Sequence, residues 1–162
     1  MSANDQFKTL YAYHWHINRQ LLARAAKLAP ADYMDNPGYG HGSIHDLLFH
    51  LLRTLYAWRV ALESGRQPSP LRAEDYPDLA TVEHGFASEQ DAWTALLETL
   101  GDADVEGTIE LVTVRGDVFQ FRRWRVLQHL VLHGMQHHTE IAQLLTAKGQ
   151  SPGDIDFIFY RG

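Results

Sequence analysis

The stretch HLVLHGMQHHTEIAQLL, residues 129–145, carries four imidazoles, at His129, His133, His137 and His138. Histidine is a common ligand of transition metals and the side chain that titrates near neutral pH. The flanking Leu, Val, Ile and Ala predict a helix. At about 100° per residue, His129 and His137 lie roughly 40° to either side of His133. These three share a stripe that is expected to face the bundle interior, whereas His138, at about 140°, is expected to point away. Two imidazoles at i and i+4 converge on one point above a helix and can grip a divalent ion. A third ligand must come from another helix, and His50 is the best supplier. It stands among Leu47, Leu48, Leu51 and Leu52, where an imidazole needs a hydrogen-bond partner or a metal. Spacing alone leaves two readings open, a metal site and a set of hydrogen-bonded core histidines.

Other chemistries fit these residues less well. HExxH is absent, which excludes a thermolysin-type zinc protease, and paired ExxH motifs of di-iron bundles are absent too. His45-Asp46 resembles the pair of the HD phosphohydrolases, but Asp46 already has a role at a helix start. No G-x-S-x-G elbow supports a serine triad. The chain has no cysteine, which excludes disulfides, thiolate zinc sites and a cysteine nucleophile and fits a reducing cytoplasm.

The elements that must position these side chains follow from periodicity. Residues 5–28 repeat apolar positions at helical spacing, with Pro30 as a stop. Residues 31–42 read as a loop with Pro37 and three glycines. Ser43-Ile-His-Asp46 is a capping box opening a second helix that ends near Gly65. Residues 66–80, with three prolines, read as a crossover loop, and a third helix is expected from about Ser88 to Leu100. TIELVTVRGDVFQF alternates around Arg115-Gly116-Asp117, a β-hairpin with a glycine turn rather than an integrin-type RGD signal. A fourth helix is expected from about Arg123 to Lys148, ended by Gly149. Ile155, Phe157, Ile158 and Phe159 of the tail are expected to pack back on it. The fold class is therefore all-α, a four-helix bundle with a crossover connection and a short β-hairpin before the last helix.

With 162 residues and no linker, residues 1–162 form a single domain large enough to hold a core without metal. A formal net charge of −6 argues against a nucleic-acid partner. Arg122, Arg123 and Arg125 read as a solvated helix end. No run approaches a membrane span and the N-terminus lacks the layout of a signal peptide, so a cytoplasmic protein without a membrane partner is expected.

Three segments resemble the DinB-like family of metalloenzymes, named for damage-inducible proteins. They are SIHDLLFHLLRTLYAW, where His50 precedes Trp58 by eight positions, VLQHLVLHGMQHHTEIAQLLTAKG, and the closing SPGDIDFIFYRG. Matched position by position, the family's three metal histidines fall on His50, His133 and His137. His129 matches a position that is often histidine without being a main ligand. Two departures stand out. His138 and Glu140 replace a frequent Arg and Gln, and Arg53-Thr54-Leu55 occupies a stretch where many relatives carry an acid. The resemblance implies a small-molecule substrate, with either hydrolysis or transfer of a low-molecular-weight thiol, and a homodimer through helix faces.

Three imidazoles leave a divalent ion with an open position, as catalytic sites do. Such an ion can lower the pKa of water towards about 7. Zinc or nickel is expected first, one per chain, with iron, cobalt or copper also suited to three histidines. Glu140 is the expected catalytic helper on the same helix face, either as a base or as a partner that orients an imidazole. Trp15, His16, Trp58 and His129 are expected to line the pocket or to support the ligands. The rival reading is a non-catalytic, metal-binding dimeric stress protein.

Overall fold

The computed structural model describes residues 2–162. Helix α1, Ala3–Ala25, opens on a capping box between Ser2 and Asp5. Pro30 does more than stop it. Its fixed φ suits the first position of a new helix, and it starts the one-turn α2, Pro30–Tyr33. Helix α3, Ile44–Ser64, has the expected Ser43–Asp46 capping box and ends on Gly65 at φ 68°. Helix α4, Leu79–Thr99, starts nine residues earlier than expected, with Asp78 accepting from the Thr81 amide. The short α5, Asp102–Glu106, precedes the strands β1, Thr108–Val112, and β2, Val118–Arg122. Helix α6, Arg123–Ala147, follows without a break, and Gly149 adopts φ 74° just beyond it.

The early start of α4 has a physical reason. Asp78 caps the helix there, and Gly85 inside it is a packing residue, since a Cβ would lie 2.6 Å from a Leu52 methyl. Glycine in this helix lets α4 approach α3 closely. The same two helices are tied by Arg59, whose Nε and Nη2 each donate to the Glu89 carboxylate at 2.8 Å. Each long helix packs on two others: α6 on α1 and α3, and α4 on the same pair. The core runs through Tyr11, Leu21, Leu48, Leu52, Trp93, Leu127 and Ile141.

The hairpin pairs Thr108 with Arg122 through Val112 with Val118, around Gly116 at φ 86°. It is anchored to the end of α3, where Val112 N–H donates to Gly65 and Gln67 N–H donates to Val112. This docking sets Phe121 edge-on against Trp58. The tail packs back only in part. Tyr13 donates its hydroxyl proton to the Ile155 carbonyl, and Phe157 and Tyr160 meet the Tyr13 ring. Ile158 and Phe159, expected to be covered, stand 82% and 64% exposed. Neither α1 nor α4 carries a large exposed apolar side chain. Among the described residues no helix is long and apolar enough to cross a membrane.

Candidate metal centre

The stripe on α6 and the imidazole on α3 meet in the groove between those helices. His133 Nε2 lies 3.1 Å from His50 Nε2 and 3.1 Å from His137 Nε2. Helical phase supplies one half of this, since His133 and His137 are one turn apart. The other half comes from α3, whose Leu47, Leu48, Leu51 and Leu52 are buried and leave His50 at the edge of the groove, half-buried.

Proton placement shows what the cluster fits. Glu140 Oε2 sits 2.9 Å from His137 Nδ1. Burial pushes the Glu140 carboxyl up, but the hydrogen bond and charge of His137 and the charge of His41 outweigh this and hold it below its ordinary value. An ionised Glu140 accepts the His137 Nδ1 proton, and in the neutral ring Nε2 is then a bare lone pair. At the other end an Arg53 Nη2 proton points at His50 Nδ1, 3.3 Å away. Nε2 of neutral His50 is then the protonated nitrogen and donates to His133 Nε2. With His137 neutral and so oriented, the lone pairs of His133 and His137 would face each other at 3.1 Å. A cation between the rings removes that repulsion. Two nitrogens this far apart, each about 2.0–2.1 Å from one ion, subtend roughly 100°, compatible with transition-metal coordination. The donor set therefore fits a divalent metal.

Burial favours the neutral form of His50 and His133. Burial first, then the neighbouring His137, pushes both His50 and His133 down to about 4. Neutral imidazole is the form that ligates.

One turn along α6 from His133 lies a cleft of about 450 Å³ lined by Trp58, Gln120, Phe121, Arg125, Val126 and His129. Ring contacts run from His133 to His129 at 5.6 Å and from His129 to Trp58 at 6.3 Å. His129 and Trp58 both line this cleft.

The family model of the DinB family matches residues 1–162. The chain belongs to the DinB family. Among solved structures, YfiT from Bacillus subtilis, described as a probable metal-dependent hydrolase with an unusual four-helix bundle topology, is similar in fold. The TM-score is 0.66 at 16% identity, over 93% of this chain and 91% of that one. No curated protein matches.

Three residues of this DinB chain fall elsewhere than expected. His138 is fully buried rather than turned outward, with its ring 4.7 Å from that of His14 on α1. Because α6 is packed on both α1 and α3, it has two buried sides, and an angle measured from one side says nothing of the other. Trp15 is a core side chain whose imidazole neighbour is His14. His16 lies beside Tyr160 and Gln20. Neither Trp15 nor His16 lines that cleft.

One residue was missed. His41, in the glycine-rich loop before α3, stacks on His50 at 5.2 Å between ring centres and meets His137 edge-on at 4.6 Å. Ligand nitrogens of His41, His50 and His137 all lie within 4.8 Å of one another. No period exists in a loop to reveal this. The available signal was a histidine between two glycines, two residues before the capping serine.

Proposed function

We propose that this protein is a divalent-metal-dependent hydrolase of a small molecule, with the ion on His50, His133 and His137. The observation that carries the reading is the convergence of three Nε2 atoms, with that of His133 3.1 Å from both of the others. The fold shared with YfiT, described as a probable metal-dependent hydrolase, agrees with it. A divalent ion there would supply Lewis acidity, bringing the pKa of water or of a thiol towards neutrality. The chain's own residues do the rest. Glu140 fixes the His137 tautomer so that Nε2 faces the centre. Trp58, Phe121 and Val126 give the neighbouring cleft an apolar wall and Arg125 a positive charge, and Arg53 places a second positive charge beside His50.

One observation favours a second reading, transfer of a small thiol. One oxygen of Glu140 already accepts from His137 at 2.9 Å, which ties the carboxylate to orienting the ring, and a thiol, being more acidic than water, depends less on a base to ionise at the centre. Zinc or nickel is the proposed metal, and a cytoplasmic homodimer the proposed state. A non-catalytic metal-binding role is the remaining rival.

Metal analysis of untagged protein tests the centre. One ion per chain is expected, lost in His50→Ala and His137→Ala and kept in His138→Ala. Full retention in His50→Ala would sink the assignment. A screen of esters, amides and electrophile-plus-thiol pairs then separates hydrolysis from thiol transfer, and the absence of turnover in both leaves the binding role.

A further inference from the structure

The loop that carries His41 is built to be held at one end and free at the other. Gly42, at φ 97°, is fixed where it enters α3, because a Cβ there would lie 2.5 Å from Asp46 Oδ2. Asp46 in turn accepts from the Ser43 N–H and hydroxyl at 2.9 and 2.8 Å. Gly38 and Gly40, at φ 80° and 62°, have nothing within 4 Å of a Cβ position. Behind the loop a cavity of about 210 Å³ separates it from Glu140, Gln143 and Leu144 of α6. His41 is therefore the last residue before a fixed hinge, on a segment that fills its surroundings loosely. Its own side chain is 46% exposed, against 1% for His137.

The ring is nevertheless placed against the centre. It touches His50 and His137, and its Nδ1 is 3.5 Å from the same Glu140 oxygen that orients His137. A carboxylate near Nδ1 favours the tautomer that leaves Nε2 as a lone pair, as it does for His137. From these observations, together with the reading of the site as a metal centre, we propose that His41 is a fourth imidazole ligand. It covers the ion at rest and yields its place to a small anionic ligand. The three ligands on α3 and α6 are carried by packed helices, while His41 can leave by rotation about loop glycines. The centre is then closed without substrate and open with it.

Arg53 identifies the displacing ligand as anionic. Once His50 Nε2 is on an ion, its Nδ1 carries the proton, and Arg53 can no longer donate to it. The guanidinium is released beside the centre, and among the described residues it has no carboxylate partner. An anion that replaces His41 would meet that free charge.

The test is competition, read on the full chain loaded with cobalt(II) and titrated with azide in the visible spectrum. If His41 is a ligand that azide must displace, His41→Ala should bind azide about tenfold or more tightly than wild type. The azide-saturated spectra of the two proteins should converge, whereas the azide-free spectra should differ. Equal azide affinity with equal azide-free spectra shows that His41 is no ligand and overturns the proposal. A wild-type spectrum unmoved by azide, with His41→Ala responding, shows a permanent fourth ligand and overturns the exchange. The readout is binding, so a protein that loads cobalt and hydrolyses nothing leaves this test intact while defeating the hydrolase reading.

Discussion

At the residue scale the deciding fact is where each imidazole proton sits. The meeting of His50, His133 and His137 was legible because helical period puts two of them one turn apart on α6 and the third at a mid-helix position on α3. Glu140 was legible as a neighbour of His137 but not in its task. The structure gives it the imidazole's Nδ1 proton at 2.9 Å, a task of orientation. That distinction predicts a split between two variants. In Glu140→Gln the amide oxygen can still accept from Nδ1, so metal affinity should stay within a few-fold of wild type. In Glu140→Ala the ring loses its partner, and affinity should fall about 10- to 100-fold, the usual scale for an outer-shell partner. Competitive titration against a chromogenic chelator measures both. Equal losses in the two variants would show that the carboxylate charge matters rather than the hydrogen bond. His41 was not legible at all, since its position depends on a loop path set by glycines at positive φ.

Between elements, close approach explains what periodicity misread. The bundle, the hairpin and the capping boxes of α3 followed from patterns of apolar and capping residues. The start of α4 did not: Asp78 caps it, and Gly85 inside it acts as a packing notch against Leu52. Gly134 plays the same part between α6 and α1. A Cβ on Gly134 would lie 2.5 Å from His14 Nδ1 and 2.6 Å from its Cε1. His14 cannot turn aside, because its ring is 3% exposed and held between His138 and Trp15. Gly134→Ala gains helix propensity of roughly 1 kcal/mol, yet overpacking of this kind costs about 1–3 kcal/mol. The net effect should be a lower melting temperature. Because Gly134 follows His133, the variant should also weaken metal binding. Thermal unfolding with and without chelator reads both effects, and a raised melting temperature would mean that α1 and α6 separate at no cost.

For the whole molecule, the buried histidines tie folding to pH. The expectation that His138 faces outward failed because a helix between two partners buries two of its sides. The result is an imidazole pair, His14 and His138, sealed behind the metal centre, with both nitrogens of His138 and Nε2 of His14 lacking a hydrogen-bond partner. Burial pushes His14 down to about 4, and His138 well below its usual value. His50 and His133 are also pushed to about 4. In the unfolded chain each of these rings takes up a proton near pH 6.5. Above pH 6.5 neither state is protonated and the full stability is present. Between pH 6.5 and about 4 the unfolded chain binds protons that the folded chain refuses, so stability falls as pH falls. For His14 alone the gap corresponds to about 3 kcal/mol, a large share of the stability of a domain this size. The metal-free protein should therefore hold a constant urea midpoint from pH 8 to 7 and lose it steeply from pH 6 to 4.5. The slope should report uptake of more than one proton on unfolding. His138→Leu, which keeps the volume apolar and removes one of these groups, should flatten that slope by close to one proton. A wild-type midpoint unchanged down to pH 5 would show that the pair is solvated or protonated in the native state, and the packing of α6 against α1 described above would be wrong.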